Sequence, residues 1–416
     1  MGNRRIGIVG GGIVGVALAH RITGMGRDVA VTVLEKEPDL ALHQTGRNSG
    51  VVHAGLYYTP GSLKARLCRR GVELLRELCD RHGLAYDECG KVVVALDEAE
   101  LGRLEAIHQR AVANRVPGVR MVGGGELREL EPHVQGIAAL HSPHTAVVDF
   151  AAVTRRLAAD AAARGAEIRT GVPVRRITQD TAGVSVEAGG ERLAFNELVI
   201  CGGLHTDRLA RLAGHEGDPR VVPFRGEYYE LAPGRRDLVN GLVYPVPDPR
   251  YPFLGVHLTK RVDGGVLVGP NAVLALAREG YRWRDLRLGD LAETLAWPGF
   301  RRMAAHHWRT GVREVVGSLS RRAFCEAARR YVPDLRPADL RRARSGVRAQ
   351  AVARDGTLVD DFRLSRRGRV VAIRNAPSPA ATSSMAIAEH ISAWLFEQDG
   401  YPGGPGWPPA RPIQGS

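Results

Sequence analysis

The amino-acid sequence predicts an α/β protein with a discontinuous Rossmann-like domain and a second domain that combines a mostly antiparallel sheet with helices. Three observations predict this fold class. A short apolar strand near the N-terminus leads into a glycine-rich turn, and a later apolar strand leads into Gly202 and Gly203. Between residues 220 and 285, β-branched and aromatic runs alternate with Pro and Gly, as in a sheet. With 416 residues, the chain is long enough for roughly two to three domains.

The first element is RRIGIVGGGIVGVALAHRI (residues 4–22), which has the pattern of a buried strand, a glycine turn and a helix. Gly10, Gly12 and Gly15 form the spacing GxGxxG. The first glycine permits a tight turn, the second lets the backbone approach a pyrophosphate, and the third lets the helix pack closely on the strand. The next strand ends at Glu35, where a carboxylate can accept hydrogen bonds from a ribose diol. This order predicts a dinucleotide-binding unit, which FAD and NAD both use.

Later segments return the chain to this domain. Residues 149–177 predict an amphipathic helix, a stop at Gly165 and a strand pair, and residues 197–214 predict a buried strand followed by a helix. After residue 345 come SGVRAQAV, a strand pair, and a turn-rich loop that leads into a final helix. We therefore expect a nucleotide-binding domain of residues 1–85, 146–219 and 346–398, a second domain of residues 86–145 and 220–345, and a disordered Pro/Gly-rich tail at 399–416. Such discontinuity favours a flavoprotein.

Composition narrows the class of protein. The chain is 44% hydrophobic and 25% charged, as expected for a globular protein and not for a fibrous or disordered one. Its net charge of +13 is carried almost entirely by arginines spread along the sequence, so we expect no nucleic-acid partner. The five cysteines form no CxxC or other metal-ligand spacing, which indicates a reducing compartment.

The expected location is the cytoplasm, because the sequence shows neither a membrane-spanning run nor a signal peptide. Basic and apolar residues interleave in residues 301–330, within a stretch from about 286 to 344 that reads as helical. Two interpretations stay open for this segment. It is either a peripheral contact with the inner face of the cell membrane or an ordinary solvated helix pair.

Several longer motifs resemble one enzyme family. They are HQTGRNSGVVHAGLYYTPGSLKARLC (43–68), PFRGEYYEL (223–231), PFLGVHLT (252–259), VGPNAVLA (268–275), SGVRAQAV (345–352) and NAPSPAATS (375–383). They are similar to motifs of the L-2-hydroxyglutarate dehydrogenase/oxidase family, FAD enzymes of the D-amino-acid oxidase superfamily, and the likeness covers residues of about 5 to 395. One departure is Arg47, where the family often has a smaller or neutral residue.

The resemblance implies a Rossmann-like FAD-binding domain, a substrate domain and oxidation of L-2-hydroxyglutarate to 2-oxoglutarate. Electrons would pass through FAD to a quinone, another respiratory acceptor or oxygen. A flavin fold does not name its substrate, so another 2-hydroxy acid, or an amine or amino acid, remains an alternative. A third reading is a basic peripheral binding protein that keeps the nucleotide domain only as a scaffold.

Oxidation of a 2-hydroxy acid by a flavin needs a base for the hydroxyl proton, and histidine suits that task near neutral pH. His53 and His257 are the candidates, and either could instead be an ordinary packed histidine. A dicarboxylate also needs cationic anchors, because a guanidinium binds a carboxylate through two hydrogen bonds. We expect Arg225 and Arg348 to serve in this way, with Tyr58 as a phenol donor.

The resemblance, together with the glycine pattern, also implies a set of FAD contacts. Amides of the loop at 375–380 would meet the flavin ring, where donors stabilise the reduced form. The sequence leaves open whether FAD is covalently attached, and we expect no metal. The expected contacts are Gly10, Gly12, Gly15, Glu35, Lys36, Thr45, Asn48, Ser49, Val174, Gly202, Asn375, Pro377 and Ala380.

Overall fold

The structure is a computed structural model that describes residues 4–248 and 254–396. Up to residue 219 it contains β1 (Arg4–Val9), α1 (Ile13–Thr23), β2 (Val29–Leu34), β3 (Val51–Val52), α2 (Leu63–His82), β4 (Tyr86–Asp87), β5 (Lys91–Ala95), α3 (Glu98–Ala113), β6 (Arg120–Gly123), α4 (Gly124–Leu130), β7 (Ala138–Ser142), β8 (Ala146–Val148), α5 (Phe150–Ala163), β9 (Glu167–Arg169), β10 (Val174–Gln179), β11 (Val184–Ala188), β12 (Glu191–Phe195), β13 (Glu197–Ile200) and α6 (Thr206–Leu212).

The remaining part holds the other strands and helices. They are β14 (Arg220–Gly226), β15 (Tyr229–Leu231), β16 (Leu242–Pro245), β17 (His257–Lys260), β18 (Val266–Gly269), β19 (Val273–Leu274), α7 (Leu288–Ala296), α8 (Pro298–Leu319), α9 (Arg321–Arg329), β20 (Leu340–Arg342), β21 (Gly346–Val352), β22 (Arg363–Arg367), β23 (Val370–Asn375) and α10 (Ser384–Phe396). Short 3₁₀ turns span Gly203–His205, Pro233–Leu238 and Pro337–Asp339.

A six-stranded sheet carries the glycine-rich turn. Its order is β22-β23-β13-β1-β2-β9, and β1 runs parallel to both β2 and β13. Both faces of β1 are covered, because Ile6 and Ile8 are buried on one face in the core that contains α1, and Val9 is buried on the other face in a second core. Small residues on α1 allow this close packing. A Cβ at Gly15, for example, would lie 2.1 Å from the carbonyl oxygen of Gly10.

An eight-stranded sheet forms the second architectural unit. Its order is β20-β15-β18-β17-β16-β5-β7-β6, and all neighbours are antiparallel except β16 and β5. Strands from residues 86–145 and from 220–345 therefore share one sheet. The three-stranded sheet β19-β14-β21 pairs β14 with β21 over seven residue pairs, which brings PFRGEYY and SGVRAQAV side by side. The expected fold class, α/β with a mostly antiparallel second sheet, is confirmed.

The expectation of a strand pair at residues 167–177 is wrong. Strand β9 pairs in parallel with β2, whereas β10 pairs with β11 in a separate three-stranded sheet. A parallel partner distant in sequence leaves no local signal, so the two neighbouring strands read as a hairpin. The predicted strand pair after SGVRAQAV is confirmed by the antiparallel β22 and β23. The tail at 399–416 lies outside the described residues.

Helices α7 to α9 confirm the expected helical stretch as far as Arg329. Its predicted end near residue 344 is wrong, because the 3₁₀ turn Pro337–Asp339 and strand β20 lie there. Across the described ranges of the chain, none of the helices combines the length and the apolar character that crossing a membrane requires.

Candidate active site

The glycine-rich turn brings the N-terminus of α1 to a groove at the ends of β1 and β2. Gly10 has φ +118°, and a Cβ there would lie 2.3 Å from the carbonyl oxygen of Cys201, so only glycine fits. Gly12 is the N-cap of α1 and supplies no side chain to the first helical amides. The hydroxyl of Thr45 accepts a hydrogen bond from the Ile13 amide at 3.1 Å. The helix therefore presents amide donors and its positive dipole end to the groove.

Glu35 lies at the other end of this groove. One carboxylate oxygen accepts from the Gly11 amide at 2.5 Å and the other from the Glu37 amide at 2.9 Å. These two bonds fix the orientation of the carboxylate and leave further lone pairs for a ribose diol. The groove encloses about 460 Å³, and Gly10, Gly12, Lys36, Val174 and Gly202 also line it.

An ion-pair network closes one side of the groove. The Lys36 ammonium lies 2.7 Å from Glu279 and 3.1 Å from the Nε2 atom of His43, and it also pairs with Glu37. The Nε2 atom of His205 donates to a carboxylate oxygen of Glu279 at 2.9 Å. Burial alone would raise the pKa of Glu279, but hydrogen bonds from His205 and Lys36 outweigh it and hold that pKa well below the usual range. Although Glu37, His43 and Glu279 have metal-ligand spacing, the lysine ammonium lies among them and supplies the positive charge.

A second cavity of about 450 Å³ continues from the first, and both are lined by Gly12, Gln44, Thr45, Cys201 and Gly203. Elements of both large sheets form its walls. The loop after β2, the loop after β23, and strands β14, β16, β17 and β21 all contribute lining residues. Together the two cavities make one extended groove with a wide chamber at its inner end.

The two predicted histidines both line this chamber. His53 follows β3, and its backbone amide donates to the Thr382 hydroxyl at 3.1 Å, which ties it to the loop after β23. Its Nε2 atom lies 3.4 Å from Ser378 Oγ. The accessible surface of His53 faces the cavity, and burial, followed by the charge of Lys91, lowers its pKa to about 3. The imidazole is therefore uncharged at neutral pH.

His257 opens β17 and has a defined tautomer. Its Nδ1 atom is 2.8 Å from the carbonyl oxygen of Gly255, so Nδ1 carries the proton and Nε2 is the unprotonated nitrogen. The imidazole lies against the Tyr244 ring, with centroids 4.0 Å apart. Burial lowers the pKa of His257 to about 3, although the bond to Gly255 opposes the shift. Both candidate bases are thus neutral and face one chamber.

Arg348 on β21 lines the chamber, and its exposed surface is the part that faces this space. Burial lowers its pKa, with the Tyr228 hydroxyl opposing the shift. Arg225 does not line either cavity. Its side chain is fully buried, its guanidinium lies 4.3 Å from the Trp283 ring, and its Nε atom donates to Glu227 at 3.2 Å. The strand pleat explains the difference, because the neighbouring Phe224 points into the chamber.

Tyr57 and Tyr58, the adjacent tyrosines of the motif at 43–68, also line the chamber. Tyr58 is held by the Asn114 amide, which donates to its carbonyl oxygen at 2.8 Å. Burial raises the pKa of both phenols well above the usual value, so they act only as neutral groups. The Tyr57 hydroxyl is buried and has no hydrogen-bond partner among the described residues. A ligand acceptor in the chamber could satisfy it.

The remaining predicted cofactor residues are distributed unevenly. Asn48, Ser49, Asn375 and Ala380 line the chamber, whereas Pro377 lines neither cavity. The Pro377 carbonyl accepts from the Ala380 amide at 2.9 Å and thereby shapes the turn. The side chain of Asn375 donates to the carbonyls of Val359 and Asp361, both at 2.9 Å, so it braces the loop.

Sequence reasoning missed one residue that lines this chamber and one behind its wall. Tyr244 lines the chamber and packs against His257, and Lys91 lies behind Tyr57 and Tyr244. The Lys91 ammonium is 3.5 Å from the centroid of the Tyr244 ring. A signal was present for Lys91, because a charged residue at the head of KVVVA is unusual in a strand that is buried on both faces.

The groove and chamber fit FAD. The groove offers backbone amides at a helix N-terminus for a pyrophosphate and a carboxylate for the ribose. The chamber at its inner end has room for a flavin ring and a small substrate beside two neutral imidazoles. These features define the class of protein, a flavin-dependent oxidoreductase. The sequence model of the family described as FAD dependent oxidoreductase matches residues 5–394.

Comparison with known proteins narrows the class. The chain is 42% identical to an L-2-hydroxyglutarate dehydrogenase of Indibacter alkaliphilus over 94% of this chain and 98% of the relative. It is 44% identical to a mitochondrial L-2-hydroxyglutarate dehydrogenase of Caenorhabditis elegans over 93% and 92% of the two chains. The chain therefore belongs to the FAD-dependent L-2-hydroxyglutarate dehydrogenase family, and FAD is its cofactor.

A solved structure supports the fold. L-α-glycerophosphate oxidase from Mycoplasma pneumoniae, determined with FAD bound, superposes with a TM-score of 0.76 over 98% of both chains at 23% identity. At this level of identity the similarity shows that the fold is shared.

Proposed function

We propose that this enzyme oxidises L-2-hydroxyglutarate to 2-oxoglutarate. The observation that carries the proposal is the charge of the chamber. Arg348 lines it with an exposed side chain, and among the described residues that line it there is no Asp or Glu. Such a chamber favours a substrate with carboxylates, and the names of the curated relatives indicate which diacid.

Five polar side chains that line the chamber have proposed roles. Arg348 binds one substrate carboxylate through its planar guanidinium. His257 accepts the hydroxyl proton at Nε2, because its Nδ1 proton is committed to Gly255. His53 donates or accepts a hydrogen bond to orient the same substrate. Tyr57 and Tyr58 supply neutral phenol hydroxyls. When bound, FAD supplies the acceptor for the hydride that leaves the substrate carbon.

The remaining cofactor contacts belong to the same proposal. The amides at the start of α1 hold the pyrophosphate, and Glu35 holds the ribose. The loop at 375–382 supplies backbone donors beside the ring. In this scheme Arg225 is a structural residue, since it lies outside the chamber.

The division into domains is also proposed. Every strand of the six-stranded sheet lies within residues 1–85, 146–219 or 346–398, which we propose as the FAD-binding domain. Every strand of the eight-stranded sheet lies within 86–145 or 220–345, the proposed substrate domain.

We propose a quinone or another respiratory carrier as the electron acceptor, with contact at the membrane surface through α7, α8 and the residues just before them. Exposed apolar side chains cluster there, beside the exposed Arg301, Arg302 and Arg309. A mixed apolar and basic face suits an anionic bilayer. The exposed apolar residues are Leu286, Leu288, Leu295, Trp308, Val312 and Val315. Sedimentation with anionic and with neutral vesicles tests this contact, and equal absence from both pellets would refute it.

The function itself is tested by anaerobic mixing of the purified yellow enzyme with candidate substrates. L-2-hydroxyglutarate should bleach the flavin absorbance rapidly, whereas the D-enantiomer, L-malate and glycine should not. Bleaching by glycine or another amine, and not by the L-diacid, would replace the proposed substrate with an amine on the same scaffold.

A further inference from the structure

Lys91 is a buried cation that the chemistry described above does not use. It opens β5, in the middle of the eight-stranded sheet, and only 3% of its surface is accessible. Within the described ranges no carboxylate pairs with it. Its ammonium instead lies 3.5 Å from the Tyr244 ring centroid and 4.8 Å from that of Tyr57. An uncompensated buried charge is costly, so its retention calls for a reason.

The position of Lys91 supplies that reason. Both rings that hold the ammonium line the chamber, and the Tyr244 ring packs against His257 with centroids 4.0 Å apart. The Lys91 charge is strong enough in this region to depress the pKa of both His53 and His257. It therefore acts across the wall on whatever occupies the chamber, where the local dielectric is low.

We propose that Lys91 is the second cationic determinant of substrate choice, a positioning residue that favours dianionic over monoanionic ligands from behind the Tyr57 and Tyr244 rings. This inference rests on the proposed function for the identity of the diacid. Arg348 meets one carboxylate directly, and Lys91 compensates the charge of the other. The rings hold the ammonium in place through cation–π contacts, which are worth more when desolvated.

The charge of Lys91 is also adjustable. Burial lowers the pKa of Lys91 to about 7, so the free enzyme loses this charge in the mildly alkaline range. Five groups around it do not change charge there. His53 and His257 are already neutral, Tyr57 and Tyr244 stay protonated, and Arg348 stays charged. A second amine, that of Lys64, lies 2.8 Å from the Asp360 carboxylate. Dianion affinity should therefore fall as pH rises above 7, because the attracting charge is lost.

The test uses the FAD-loaded enzyme and two ligands without a hydroxyl group, glutarate as the dianion and butyrate as the monoanion. Binding is followed by the change in flavin absorbance, from about pH 6 to about pH 9. In the wild type, glutarate affinity should fall about tenfold across this range, while butyrate affinity changes less.

Two variants sharpen the result. K91M should bind glutarate about tenfold more weakly at pH 6, with little further change at higher pH. K91R should retain tight glutarate binding at every pH, because its guanidinium does not titrate. A pH-independent glutarate affinity in the wild type, or an unchanged glutarate-to-butyrate preference in K91M, would overturn the inference. The first of these results needs no substitution and so does not depend on the folding of a variant.

The same samples separate this inference from the proposed function. If L-2-hydroxyglutarate fails to reduce the wild-type flavin but glutarate binding still depends on Lys91, the proposed substrate is wrong and the role of Lys91 stands. If L-2-hydroxyglutarate reduces the flavin normally but glutarate binding does not depend on Lys91, the proposed substrate stands and the role of Lys91 is wrong.

Discussion

Two buried cations in this molecule differ in how the chain compensates them. Arg278 is 4% exposed at the side chain and forms a bidentate pair with Asp207, at 2.6 and 2.9 Å. Lys91 is about as buried, but within the described structure no carboxylate pairs with it, and its ammonium lies against the rings of Tyr57 and Tyr244. Arg278 also donates to the Leu204 carbonyl and so ties the segment after β19 to the nucleotide-binding part. A paired buried cation holds structure together, whereas an unpaired one beside a cavity is available to a ligand.

The largest expected effect concerns the groups that face the ligand. H257Q should lower kcat by about 10² to 10⁴, because the substrate hydroxyl loses its base. Stopped-flow flavin reduction by L-2-hydroxyglutarate measures this loss, and an unchanged flavin spectrum shows that the cofactor site is intact. H53Q is the matched comparison. A larger loss in H53Q than in H257Q would reassign the base to His53.

Removing the Arg278–Asp207 ion pair should destabilise the fold. R278M leaves the Asp207 carboxylate buried and unpaired, so we expect about 3 to 5 kcal/mol of destabilisation. Thermal unfolding of the holoenzyme measures this effect as a lower Tm. The exposed pair of Arg76 and Glu88 provides the control, since R76Q should change stability by less than about 1 kcal/mol. Equal effects of the two substitutions would contradict the structural role of Arg278.

The chamber arginine should affect binding more than folding. We expect R348M to raise the Kd for glutarate by about 30-fold or more, because one carboxylate loses its bidentate partner. R225M is the contrasting variant. Since Arg225 lies outside the chamber, folded R225M should bind glutarate with a Kd within about threefold of the wild-type value. Flavin absorbance titration decides between the two arginines.

The smallest expected effect is a rise in Tm, opposite in sign to the fall expected for R278M. K91M should raise the Tm of the ligand-free holoenzyme by a few degrees, since it removes an uncompensated buried charge. Because the pKa of Lys91 in the folded protein is lowered to about 7, its buried charge destabilises the fold fully below pH 7, where the Lys91 amine is charged in both the folded and the unfolded chain. Above pH 7 the unfolded chain binds more protons, so wild-type stability recovers as pH rises towards the ordinary lysine pKa. The difference in Tm between K91M and wild type should therefore shrink in alkaline buffer, and a difference that grows would contradict it.

The nucleotide-binding part was predictable because its determinants are local. Gly10, Gly12, Gly15 and Glu35 lie within one βαβ unit, where each spacing translates directly into geometry. The motif around His53 and the motif around His257 were also recognisable from short segments, and both histidines line one chamber.

The sequence by itself thus determined the fold class, the cofactor groove and the two histidines. Only the tertiary structure decided which cations face the chamber. Arg225 and Arg348 look alike as residues of β-strands, but the pleat and the pairing of β14 with β21 turn Arg348 into the chamber and Arg225 away from it. Lys91 is more than 150 residues from Tyr244, and the register of β5 with β16 places the two side by side. Such contacts depend on sheet packing between distant segments, which no local spacing encodes.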